Sequence, residues 1–128
     1  MAYYVTIWQY DIYPSLRAAF EQAYGSNGEW ATLFRRSSDY VRTDLLRDPL
    51  QSNRYLTLDY WQTHAAWVGF QTTYQREYAA LDDHCSQLTR AKCILARSSL
   101  YLASHWMSES ALGRRWLWLS YTIAVQER

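Results

Sequence analysis

Few residues of this 128-residue chain have the types and spacing of a familiar catalytic or metal-binding set. His64, His84 and His105 stand apart, and no pair has the spacing of zinc ligands. Cys85 and Cys93 lack a companion His and read as reduced thiols, so no metal site is expected. There is no phosphate-binding loop, no dinucleotide turn and no Gly-x-Ser-x-Gly elbow; with only four Gly, a loop cradling a phosphate is disfavoured. What the chain has in excess is rings: seven Trp, twelve Tyr and three Phe. Such side chains build an apolar chamber whose polar handles are Tyr hydroxyls and Trp N–H groups.

Charge excludes other classes. Thirteen basic residues against twelve acidic ones leave a net +1, which argues against nucleic-acid binding driven by net charge. Lys92 is the only Lys, so a Lys-rich arm or polybasic membrane anchor is absent, and no apolar run approaches the roughly 20 residues of a membrane span. The N-terminal residues lack the basic and apolar regions of a secretion signal. A cytoplasmic protein is expected.

The elements that must position the rings follow from periodicity. Residues 3–12 alternate at period two, with Val5 and Ile7 on one face and Trp8, Tyr10 and Ile12 on the other, as in a strand apolar on both sides. Pro14 opens a helix whose buried stripe is Leu16, Ala19, Phe20 and Ala23, and Gly25 ends it. Ser26 and Glu29 have the spacing of a capping box for a short helix burying Trp30, Leu33 and Phe34. Residues 40–47 and 54–61 read as strands joined by a turn at Asp48-Pro49. Thr63 caps a long helix with Trp67, Phe70, Tyr74, Tyr78 and Leu81 as its stripe, and 92–97 form a short fourth strand. The order is β-α-β-β-α-β, the ferredoxin-like α+β arrangement with an antiparallel sheet. Residues 99–128 fall outside that plan: 99–106 read as a fifth strand, and Leu112, Trp116, Leu119 and Ile123 recur at helical spacing. Residues 1–98 therefore read as the domain, and 99–128 as an extension packing on it or on a partner.

Right-handed crossovers put both helices on one face of such a sheet, leaving Val5, Ile7 and one side of the third strand without a helix. Two sheets packed face to face, about 10 Å apart, would cover that side, so a homodimer through the helix-free face is expected. The alternative is that the tail folds back over its own sheet.

From Trp8 to about Ala96 the sequence resembles the antibiotic biosynthesis monooxygenase family, which forms dimeric α/β barrels. The matching pieces are WQYDIYPS, AAFEQAYGSNGEW, TDLLRD, YLTLDYWQTHAAW and EYAALDDHCSQLT, in that order. The most characteristic is a strand ending in Trp61, followed by Thr63, Trp67 and Phe70. Ser15, Asp39 and Ala96 depart from the pattern, standing where Gly is frequent. The resemblance implies oxidation of polycyclic phenols to quinones with O2, with no flavin, haem or metal cofactor.

On that reading a cavity between the sheet and its helices is lined by Trp8, Trp30, Phe34, Trp67 and Phe70. His64 is the available base or donor, and Tyr10 and Tyr74 could hold an oxyanion. The same stripe also serves as ordinary core, above all at Phe70. The implied function is a cofactor-independent monooxygenase acting on an aromatic or polyketide-like small molecule. The alternative is a non-catalytic dimeric binding protein for an apolar ligand, favoured by the scarcity of placed acid-base groups. Haem binding or degradation ranks last: the positions it needs hold Ala80 and Trp8, and His84 lies about one turn later.

Overall fold

A computed structural model describes residues 2–100 of the chain. Four strands, β1 (Tyr3–Ile12), β2 (Tyr40–Arg47), β3 (Arg54–Trp61) and β4 (Thr89–Leu100), form one sheet in the order β2-β3-β1-β4. All pairings are antiparallel. Four helices, α1 (Arg17–Tyr24), α2 (Glu29–Phe34), α3 (His64–Thr73) and α4 (Gln75–Cys85), complete the α+β ferredoxin-like plan. Among the described residues, no helix is long and apolar enough to cross a membrane. β4 starts earlier than residue 92 and runs past 97. The expected fifth strand and C-terminal helix lie, beyond residue 100, outside the described residues.

Period two sorts the sheet into two faces. Tyr4, Tyr10, Ile12, Tyr55 and Trp61 pack with Phe20, Trp30, Phe34, Trp67 and Phe70 from the helices. On the other side Val5, Ile7, Leu58 and Ala96 are buried against Tyr3, Leu46, Leu56, Tyr60 and Leu95, a cluster drawn from strands alone among the described residues.

Three local readings are corrected. Ala19 is exposed, and the buried side of α1 is Phe20, Ala23 and Tyr24; a 3-10 turn at Pro14–Leu16 precedes it and sets its rotation. The Ser26–Glu29 capping box does not form: Gly28 occupies the cap of α2 with no side-chain bond. A Cβ at Gly28 would lie 2.4 Å from the Gln22 carbonyl oxygen and 2.7 Å from that of Ala23. The chain thus passes too close to the end of α1 for any residue but glycine. The long helix after Thr63 is two helices. Thr63 does cap it, its hydroxyl accepting from Ala66 N–H at 3.0 Å. At Tyr74 the backbone leaves helical dihedrals (φ −111°, ψ 32°), directly after the β-branched pair Thr72-Thr73.

Candidate functional site

Asp59 is the acidic residue of an otherwise apolar and hydroxylic strand face formed by Tyr55, Thr57, Asp59 and Trp61. Alternation turns that face toward the helices, so the carboxylate is buried at 8% exposure. Sheet register flanks it with two hydroxyls, Thr43 on β2 and Thr6 on β1. Thr43 Oγ1 donates to Asp59 Oδ1 at 2.6 Å, and Tyr40 Oη is 2.7 Å from Thr43 Oγ1. The Thr6 hydroxyl, buried beside it, completes no bond of good geometry among the described residues. Burial pushes the Asp59 carboxyl up from 3.8 to about 6, against the opposing pull of the threonine hydroxyls.

Asp59 borders a cavity of about 30 Å³ between sheet and helices. By the measure that one water needs on the order of 10–15 Å³, this is room for one or two small molecules such as water or O2. Its walls are Trp8 and Tyr10 of β1, Thr43 of β2, Thr57 of β3, Tyr24 of α1, Trp30 and Phe34 of α2, Trp67 of α3 and Tyr78 of α4. Asp82 and Lys92 also line it, joined by a 2.7 Å ion pair that ties α4 to β4, and Lys92 Nζ lies 5.6 Å from the Trp8 ring. Both charges of that pair are partly exposed.

The phenols are held neutral. Burial raises Tyr10 well above its ordinary value, with the nearby Tyr24 and Asp59 adding to it, and raises Tyr78 to about 12. A neutral phenol near pH 7 keeps its proton and can donate to an oxyanion. Two further polar atoms in the walls, Thr57 Oγ1 and Trp30 Nε1, are buried with no hydrogen-bond partner among the described residues. Burying such groups unpaired costs on the order of 1–3 kcal/mol each, which a ligand with acceptor oxygens would recover.

Of the residues singled out from sequence, Tyr10, Trp8, Trp30, Phe34 and Trp67 come together in this lining. His64, Tyr74 and Phe70 do not line it. His64 is exposed, its ring 4.7 Å from that of Tyr4. Tyr74 is half-buried at the α3–α4 break, with Phe70 5.1 Å and the Arg36 guanidinium 5.7 Å away. Phe70 is core, 5.1 Å from Trp61 and 5.3 Å from Phe34. Asp59, Thr43, Thr57 and Lys92 were not among those candidates. The available signal was an acid on the helix-facing side of a strand, opposite Thr43 in the neighbouring one. Among the described residues, no three His, Cys, Asp or Glu side chains converge as a metal-ligand set.

No protein-family model and no curated sequence matches the chain. Solved structures do. A single-site mutant of SnoaB, a cofactor-independent oxygenase from Streptomyces nogalater, superposes with a TM-score of 0.63 at 17% identity, over 83% of this chain and 98% of that one. A protein from Bordetella bronchiseptica designated an antibiotic biosynthesis monooxygenase gives 0.60 at 17% identity, over 73% and 93% of the two chains. One of the same designation from Nitrosomonas europaea gives 0.55 at 17%, over 72% and 85%. The fold is that of the antibiotic biosynthesis monooxygenases. At this identity the likeness is one of fold, and the chemistry must be argued from the cavity itself.

Proposed function

We propose that the protein is a cofactor-independent monooxygenase that oxidises a phenolic, anthrone-like aromatic with O2. The observation that carries this reading is the buried Asp59 carboxylate on the aromatic cavity. A store for an apolar ligand gains nothing from a charge in its wall. A carboxyl raised to about 6, by contrast, is ionised near neutral pH and more basic there than an ordinary one. Asp59 takes the substrate's acidic proton, and the neutral Tyr10 hydroxyl donates to the resulting oxyanion. The electron-rich anion then reacts with O2 in a space that the bound substrate itself shields from bulk water. An Ar₂CH₂ centre becomes Ar₂C=O, one oxygen atom entering the product and the other leaving as water.

The cavity, partly open to solvent, holds O2 but not a ring system. The substrate enters by displacing side chains at the partly exposed Asp82–Lys92 pair, and Trp8 beside it gives way. Oxygen uptake with a panel of anthrone-like phenols tests the reading. Uptake by the native protein that falls by about 10²- to 10⁴-fold in Asp59→Asn supports it; binding without uptake, or equal uptake by both proteins, overturns it. The same proposal includes a homodimer through the strand-only face, where the half-buried Tyr3, Leu46, Leu56, Tyr60 and Leu95 would meet the partner, since Val5, Ile7, Leu58 and Ala96 are already buried within one chain. Light scattering should give twice the 15.2 kDa chain mass, and a single-chain mass would refute the dimer.

A further inference from the structure

We infer that Thr43 and Tyr40 form a two-hydroxyl proton exit from Asp59 to the edge of the sheet. This rests on Asp59 being the base, and it adds what happens to the proton once taken. A buried base that hands its proton to solvent is ready for the next turnover, and the peroxide formed from the anion takes an equivalent proton back from solvent, so both CH₂ hydrogens still end in the water. The cavity side of Asp59 faces Tyr10 from β1 and Tyr78 from α4, both held neutral by burial and poor proton acceptors. The opposite direction is different. Asp59, Thr43 and Tyr40 form an unbroken row, with oxygen separations of 2.6 and 2.7 Å. Because the Thr43 hydroxyl donates to Asp59, its oxygen is free to accept from Tyr40 Oη, so the chain is oriented. Tyr40 is half-buried at the first residue of β2, an outer strand, with the exposed Asp39 before it. Its charged neighbours are Arg35 and Asp44, together with Asp59 itself.

Release begins with rotation: once Asp59 is protonated, the Thr43 and Tyr40 hydroxyls turn their hydrogens outward. Asp59 then gives its hydrogen to Thr43 Oγ1, Thr43 passes its own to Tyr40 Oη, and Tyr40 yields one to water. One proton has left, each hydroxyl keeps one hydrogen, and the row stands again in its observed orientation, with Thr43 donating to Asp59. No oxidant or further reactant is needed.

The test uses the full chain with Thr43→Val, Thr43→Ser and Tyr40→Phe, each checked for a native circular dichroism spectrum. The first readout needs no substrate: ¹³C-carboxyl NMR of Asp59 across pH, giving its midpoint and its exchange rate with solvent. Thr43→Val loses a bond to the charged form, so the midpoint should rise by roughly one pH unit, while Thr43→Ser restores it. Tyr40→Phe leaves the carboxylate's own bond intact, so its midpoint should stay in place while proton exchange slows by about tenfold. The second readout is turnover. Thr43→Val and Tyr40→Phe should lower kcat by about tenfold with KM unchanged, and Thr43→Ser should stay within about twofold. Unchanged exchange in Tyr40→Phe, or Thr43→Ser as impaired as Thr43→Val, overturns the exit. Should the native protein take up no oxygen, the oxygenase reading fails alone, because the exchange measurement still decides the relay.

Discussion

Trp61 and Asp59 lie two residues apart on β3, on the same face, beneath the same helices, yet they organise opposite kinds of space. Around Trp61 the rings close. Phe34, Trp67, Phe70 and Tyr40 have centroids 5.1–5.4 Å from it, and the indole is fully buried. Around Asp59 similar rings stop short and leave a cavity bordered by a carboxylate and two unpartnered polar atoms. Aromatic content therefore does not distinguish core from site in this molecule. What distinguishes them is the space left beside a buried carboxyl; an unpartnered polar atom alone does not, since among the described residues Trp61 Nε1 in the closed half has no partner either.

Opening the closed half should have the largest effect. Trp61→Ala removes a fully buried indole in contact with four other rings and should cost about 3–5 kcal/mol of stability by urea unfolding. Against a total of roughly 5–15 kcal/mol for a domain, that is a large share. A loss under about 1 kcal/mol would mean that the Trp61 side is as loosely packed as the cavity side, and the contrast would collapse.

The second test works on the open half and has the opposite sign. A folded-state carboxyl near 6 against an ordinary 3.8 means that the folded protein binds more protons between those values. Native stability should therefore fall as pH rises from about 4 to 6 and stay low above that, by on the order of 3 kcal/mol. Asp59→Asn carries no charge at any pH, still accepts from Thr43, and can give its amide N–H to the unpartnered Thr6 hydroxyl. Thermal melts should show the variant near native stability at pH 4 and clearly more stable at pH 8. A variant less stable at pH 8 would show that the carboxylate is structural.

A smaller effect is expected at Tyr10, which borders both the cavity and the core stack, 5.4 Å from Phe20 and 4.7 Å from Tyr24. Tyr10→Phe keeps the ring and removes the donor. It should lower kcat by roughly ten- to a hundredfold while leaving the unfolding midpoint almost unchanged. If stability falls and kcat does not, Tyr10 belongs with Trp61.

Strand positions were legible because period two survives burial on both faces, and the bounds of β1, β2 and β3 follow from it directly. The cap at Gly28 and the break at Tyr74 were not, since each depends on how close a second element passes or how the chain leaves it. Asp59 could be seen in the sequence on the Trp61 side of its strand. Its significance could not, because the energetic cost of a carboxylate depends on the layer that covers it. His64 illustrates the converse: the most reactive residue type on paper, placed by the Thr63 cap at the exposed start of α3.

That placement yields the smallest predicted effect and a discriminating one. His64 lies outside the cavity lining, and among the described residues the only ring it meets is that of Tyr4, 4.7 Å away. With the imidazole exposed, the contact is worth on the order of 0.5–1 kcal/mol, and Tyr4 is anchored by the core cluster in any case. His64→Ala should thus leave kcat and KM within about twofold of native and remove no limb from the pH–rate profile. The limb that remains should rise with pH and level off above about 6, where Asp59 ionises. A profile in which His64→Ala abolishes that limb would return the base to the helix start, and the carboxylate two positions before Trp61 would become a buried charge without a function.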